Sequence, residues 1–155
     1  MPSVTALRRW LVFVALLRLL SVYLGIFEVR YFRSNLFDLH PDSVTDLYGR
    51  TFATWTLTTC ALCLICAKNP RVPAIYGATL FSFVAAMLHF LIEVAMFKTM
   101  SLKAAANPMI IAGLSILWMG AGWNYYTNQS VVEPELSEAE SIEEASKLNQ
   151  AAKQE

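Results

Sequence analysis

Four apolar runs separated by polar intervals set the pattern of this chain. Crossing the hydrocarbon of a bilayer takes about 20 apolar residues in a helix, and each run approaches or reaches that length. The first covers residues 10–27 behind Arg8 and Arg9. It is long for a signal peptide and has no small-x-small site before Glu28, so it reads as an uncleaved anchor. The second covers 51–67, with its helix expected to start earlier behind a cap at Asp42 or Ser43 and with Asp46 and Arg50 spaced i,i+4. The third covers 74–97 and is entered through Pro73, a residue tolerated in a first turn. The fourth covers 108–126, with Asn107 as the expected N-cap and Pro108 at the first helical position. It closes on Trp123, Asn124, Tyr125 and Tyr126, an interfacial aromatic belt.

These elements predict an all-α membrane protein: a four-transmembrane-helix bundle over residues 1–126 and a short, disordered acidic tail over 127–155. The tight turn 68–73 makes the second and third helices antiparallel neighbours. The interval 28–50 is longer, rich in Phe and Tyr, and expected to lie partly on the membrane surface. The tail carries one weak stripe (Ile142, Ala145, Leu148, Ala152) behind caps at Ser137 and Ser141. Its charge run and low hydrophobicity favour disorder with a helical tendency.

Composition supports the membrane reading. Of 155 residues, 56% are hydrophobic and 15% charged, with mean hydropathy +0.45, where a soluble domain carries about a quarter charged. The net charge of zero conceals a balance of −5 in residues 127–155 and +5 in the rest. Basic residues stand in ones and twos without the stripe that nucleic acid requires. Arg8, Arg9, Lys68 and Arg71 on one side face Arg30, Arg33, Arg50, Lys98 and Lys103 on the other, a near-even split. The Arg pair before the first span favours a cytosolic N-terminus. Asn128-Gln129-Ser130 is a sequon too close to the last span for modification.

Ionisable side chains within spans are candidates for function because each costs about 2.5–3.5 kcal/mol at a helix centre. Here they are Arg18, His89 and Glu93. His89 and Glu93 share a face with Ala78, Ser82 and Ala85, small at one end and polar at the other, a stripe expected to turn inward. Arg50 and Glu93 fall in the same leaflet, so the sequence suggests an Arg50–Glu93 pair with His89 adjacent. A proton-transfer or ligand site is one reading; an intramembrane clasp holding helices in register is the stronger. Cys60, Cys63 and Cys66 lie in an unbroken apolar helix and read as buried thiols, not metal ligands. Thr51, Thr54 and Thr58 line one side of the second helix, and Gly113 and Gly120 form a plausible close-approach face on the fourth. No nucleotide loop, dinucleotide fingerprint or histidine box is present, and no cofactor is implied.

Gly49-Arg50-Thr51-Phe52 with Thr54-Trp55-Thr56-Leu57, then Leu88-His89-Phe90 with Glu93, resembles the ergosterol biosynthetic protein 28 family. Leu7-x-x-Trp10-Leu11 and the number of spans agree; the resemblance runs from Leu7 to Tyr126 and departs at Ala53, where glycine is expected. It implies a multi-pass scaffold of the endoplasmic-reticulum membrane in sterol biosynthesis. The implied partners are the sterol C-4 methyl oxidase, the decarboxylating 3β-hydroxysteroid dehydrogenase and the 3-keto sterol reductase. Arg50, Thr51, Thr54, Trp55, His89, Glu93 and Arg18 would then be clasp or partner-contacting residues. The alternative is a small membrane enzyme moving a proton on a sterol double bond with His89 or Glu93. A proton conduit ranks third, since one His and one Glu in one leaflet do not span the bilayer.

Overall fold

The computed structural model describes residues 3–127. The acidic tail with its stripe, its Ser137 and Ser141 caps, and the Asn128 sequon lie outside them. Among the described residues, four helices are long and apolar enough to cross a membrane: Val4–Phe27, Asp46–Lys68, Pro73–Phe97 and Leu102–Ala121. These are the first to fourth helices below. The chain is an all-α, multi-pass membrane protein.

Local capping explains where the helices depart from the apolar runs. The first starts at Val4 because Ser3 caps it, its Oγ accepting from the Ala6 N–H at 3.3 Å. The second is capped by Thr45, whose Oγ1 accepts from the Tyr48 N–H at 3.1 Å. Asp42 and Ser43, the expected caps, belong instead to a separate turn over Pro41–Ser43. The fourth begins at Leu102 behind Ser101, whose Oγ accepts from the Ala104 N–H at 3.2 Å. Asn107 is therefore no cap and Pro108 lies inside the helix, because the strong helix formers Ala104 to Ala106 extend it upstream. Pro108 withholds one intrahelical hydrogen bond there. The helix ends at Gly122, and Trp123–Thr127 forms a separate short helix. The expected aromatic belt is only partly external: Trp123 and Tyr125 are exposed, whereas Tyr126 is buried and stacks on Tyr76.

Helices in lipid are held by van der Waals contact and polar ties rather than by exclusion of water. The closest contact joins the first and second helices. A Cβ on Gly49 would lie 2.7 Å from the Gly25 carbonyl oxygen, and one on Gly25 would lie 2.9 Å from that of Gly49. The sequence placed this approach on the fourth helix instead; there Gly120 faces open space and Gly113 meets only the flexible tip of Met87. Three polar ties link the other pairs. Trp10 Nε1 donates to Ser115 Oγ at 3.0 Å, the Tyr76 hydroxyl to the Met119 carbonyl at 2.8 Å, and Thr79 Oγ1 to the Leu62 carbonyl at 3.2 Å. Bonds of this kind contribute about 0.6 kcal/mol each on average.

The third helix turns only part of the small-residue stripe inward, with aromatic residues beside it. Tyr76, Thr79, Ser82, Phe83 and Phe90 are buried, whereas Ala78 is exposed and Ala85, His89 and Glu93 are half-buried. Aromatic bulk fills the space between the helices, and the reach of Tyr76 to Met119 fixes the rotation. The segment between the first two helices folds partly inward, with Tyr31 and Leu39 left exposed. Its Phe32, Phe37 and Val44 pack against Phe90, Met100 and Ala105 and plug one end of the bundle.

Gly49→Ala is expected to destabilise the bundle by about 1–3 kcal/mol, since the clash falls on backbone that cannot swing aside. Gly120→Ala is expected to be neutral or stabilising by up to about 1 kcal/mol. Thermal unfolding of both variants in detergent checks the contrast.

Candidate functional site: an aromatic groove with a buried histidine

Tyr48, Phe52 and Trp55 stand at i, i+4 and i+7 on the second helix and form one stripe, with ring centroids 6.3 and 5.8 Å apart. The third helix brings His89 against it, 5.7 Å from Trp55 in an edge-on arrangement and 6.4 Å from Phe52. Together with Thr51 these residues line a groove of about 330 Å³. Leu47, Leu88 and Ile92 beside it are exposed, so the groove opens on an apolar outer surface of the bundle.

Behind the groove lies Glu93, where the third helix widens into a π-helical turn over Glu93–Phe97. Such turns recur at functional sites. Lys98, in the left-handed conformation at φ 53°, ends the helix by donating its N–H to the Glu93 carbonyl. One carboxylate oxygen is engaged: Oε2 accepts from Thr99 Oγ1 at 2.5 Å, while Oε1 lies 3.9 Å from His89 Nδ1. The second distance exceeds a hydrogen bond. His89 Nε2 is buried and has no hydrogen-bond partner among the described residues. An unmet buried polar atom costs about 1–3 kcal/mol, so this nitrogen is the atom of the site left to an incoming group.

Two loops hold Thr99 in place. Its carbonyl accepts from the Leu39 and His40 N–H groups at 3.3 and 3.2 Å, and Asp38 Oδ1 accepts from the Ser101 N–H at 2.8 Å. The bond from Ser101 holds the exposed Asp38 carboxyl below the usual carboxylate range.

The candidate residues of the sequence separate into three places. Thr51, Trp55, His89 and Glu93 come together. Arg50 does not pair with Glu93: it is exposed in a polar basin that also holds Glu28, Arg30, Arg33 and Asp46. Asp46 pairs there with Arg33 at 3.0 Å rather than with Arg50. Thr54 is exposed, and its hydroxyl donates back to the Arg50 carbonyl at 2.9 Å. Arg18 points into a separate internal cavity. Its Nη1 donates to Ser82 Oγ at 3.4 Å, and its guanidinium lies 4.6 Å from the Phe83 ring centroid. A desolvated contact of that type is worth about 2 kcal/mol. The sequence reading left Tyr48, Phe52 and Thr99 out of the site. The first two carried a signal in their helical spacing with Trp55; Thr99 carried none, because the π-turn that delivers it breaks the helical period. Cys60, Cys63 and Cys66 are buried free thiols, the first donating to the Ala15 carbonyl at 3.3 Å. No cluster of three or more potential ligands for a metal forms among the described residues.

Fold and site define a small helical membrane protein whose distinctive surface is an aromatic groove between its second and third spans. Comparison with known proteins adds a lineage: a family profile described as "Erg28 like protein" matches residues 7–117, and the chain belongs to that family. It is 40% identical over 119 residues to ergosterol biosynthetic protein 28 of Arabidopsis thaliana, covering 77% of this chain and 91% of that protein. It is 30% identical over 126 residues to the homolog of that protein in Mus musculus, covering 81% and 90%, and 28% identical over 125 residues to the Saccharomyces cerevisiae protein, covering 78% and 82%. No solved structure matches it.

Thr99→Val is expected to lower stability by about 1.5–3 kcal/mol, the range for a hydrogen bond to a charged group. Thr99→Ser is expected to restore most of it in the same thermal assay. Because the folded state holds Asp38 below its ordinary value, its contact contributes fully above pH of about 4 and is lost as pH falls through the lower folded-state value. Amide-exchange protection at Ser101 is therefore expected to fall on acidification in the native chain and to be low at every pH in Asp38→Ala.

Proposed function

We propose that this chain is a non-catalytic scaffold of the endoplasmic-reticulum membrane that gathers the enzymes of sterol C-4 demethylation. The partners on this reading are the C-4 methyl oxidase, the decarboxylating 3β-hydroxysteroid dehydrogenase and the 3-keto reductase. The relatives' names put those proteins in ergosterol biosynthesis, and membership of the family supports extending that role here. The observation that carries the reading is that the two blocks holding the family resemblance, Gly49 to Leu57 and Leu88 to Glu93, meet in one groove that opens outward. Aromatic side chains in a surface groove are typical anchors of an interface. The groove suits an apolar side chain from a partner's transmembrane helix, with His89 Nε2 available to a polar group on it. Holding the enzymes together raises the local concentration of each intermediate for the next active site, a gain made without new chemistry.

The unpartnered His89 Nε2 also favours a second reading, a small enzyme that moves a proton on a sterol. The two part in one experiment: affinity purification of the tagged full chain from native membranes, with co-eluting proteins identified and sterol turnover by the purified chain assayed. Co-elution of the three enzymes, reduced about tenfold by His89→Leu or by Thr51→Phe, which fills the groove, is the expected result for a hot-spot contact. A solitary chain that converts sterol unaided would overturn the scaffold and leave the enzyme.

A further inference from the structure

Arg18 stands near the middle of the first helix, nine positions before the helix end at Phe27, or about 13 Å along the axis. It borders a cavity of about 130 Å³ to which all four helices contribute. A guanidinium carries five N–H donors. The partners recorded for this one are the Ser82 hydroxyl at 3.4 Å and the face of Phe83. The titratable groups facing it are the Cys60 and Cys63 thiols. No carboxylate reaches it among the described residues: Glu93 is held by Thr99, and Asp46 by Arg33. A tie from Arg18 to Ser82 alone would use one donor and leave a positive charge uncompensated within the bilayer. Neutral residues of the same length would serve that purpose at lower cost.

The cavity has both room and an approach. Its volume corresponds to about four water molecules, enough for a small planar anion and the first atoms attached to it, and too little for a phospholipid head group. The first helix packs on the second, the second on the third and the third on the fourth, while the first and fourth meet more loosely. Leu17 and Ser21 on one side of that seam and Pro108 and Ile111 on the other are only half-buried, so the cavity reaches the bundle surface there. The depth of Arg18 excludes the phosphate of a bilayer lipid, which stays at the interface. An acid dissolved in the hydrocarbon itself reaches that depth.

We propose that the Arg18 cavity is a binding site for a lipophilic carboxylic acid, whose carboxylate pairs with the guanidinium while its apolar body leaves through the seam between the first and fourth helices. Planar, paired N–H donors match a carboxylate better than any other small anion available in a membrane. The site is distinct from the groove at His89, and its occupant need not be a partner protein.

The test is photolabelling of the full chain in lipid nanodiscs with two diazirine probes, palmitic acid and cholanic acid, each beside its methyl ester. The free acid of at least one probe is expected to label peptides of the first or fourth helix about tenfold more than its ester, the difference an ion pair supplies. Preference for palmitic acid identifies a straight-chain ligand, and preference for cholanic acid a fused-ring one. Labelling should fall to the ester level in Arg18→Gln and be retained in part in Arg18→Lys. Ala86→Leu, which keeps the charge and fills the cavity, should also lose it, so a folding defect at Arg18 does not decide the outcome. Equal labelling by acid and ester, or undiminished labelling in Ala86→Leu, would overturn the proposal.

Discussion

Contact between two backbones, at Gly25 and Gly49, is the constraint on which the rest of the bundle depends. Without side chains at that point the first and second helices touch main chain to main chain, the kind of contact that replaces the hydrophobic effect where the solvent is itself apolar. The contact sets the rotation of the second helix. At about 100° per residue, Phe52 and Trp55 lie about 60° and 120° around the helix from Gly49. That turn carries them off the contact with the first helix and onto the flank facing the third, where His89 arrives. The glycine that opens the family-like block thus orients the aromatic residues that follow it.

The second governing condition is that polar groups must find partners inside the protein, since hydrocarbon supplies none. Most of the bundle meets it economically. The exposed hydroxyls of Thr51, Thr54 and Thr58 donate back to carbonyls one turn earlier at 2.9 to 3.1 Å, which lets polar residues face lipid. Trp10, Tyr76 and Thr79 use their polar atoms to join helices. Against that background, His89 Nε2 and the Arg18 guanidinium stand apart as groups whose bonding capacity the described residues do not fill. Departures from local consistency of this kind are where function is expected to lie.

The spans were legible in the sequence because apolar length alone decides them. The tight 68–73 turn announced the pairing of the second and third helices for the same reason. Helix ends were less legible. Ser3, Thr45 and Ser101 are caps whose role depends on the residues three positions on, and Pro108 looked like a start only because the alanines before it carry little hydrophobic signal. The inward face of the third helix is only partly legible, because small residues are a cue for close packing only where a neighbour approaches: Ser82 is buried and Ala78 is exposed. Here Phe83 and Tyr76 occupy that space. The Arg50–Glu93 pair failed on rotation, not depth: Arg50 follows Gly49 around the helix to the side of the first loop, whereas Glu93 turns toward Thr99. Nothing in the spacing of residues 93–99 encodes the π-turn that makes that contact.

Phe52 and Trp55 form a wall common to the outward groove and the internal Arg18 cavity. The same two side chains border the space beside His89 and the space between the four helices. A substitution at Trp55 therefore opens both spaces and reports on neither alone. His89 and Thr51 border only the groove, and Arg18 and Ala86 only the cavity, so the two sites separate physically at those residues. The block that resembles the family is thus a partition between a surface suited to a partner helix and a charged interior, and the rigidity of the glycine contact beneath it keeps both in register.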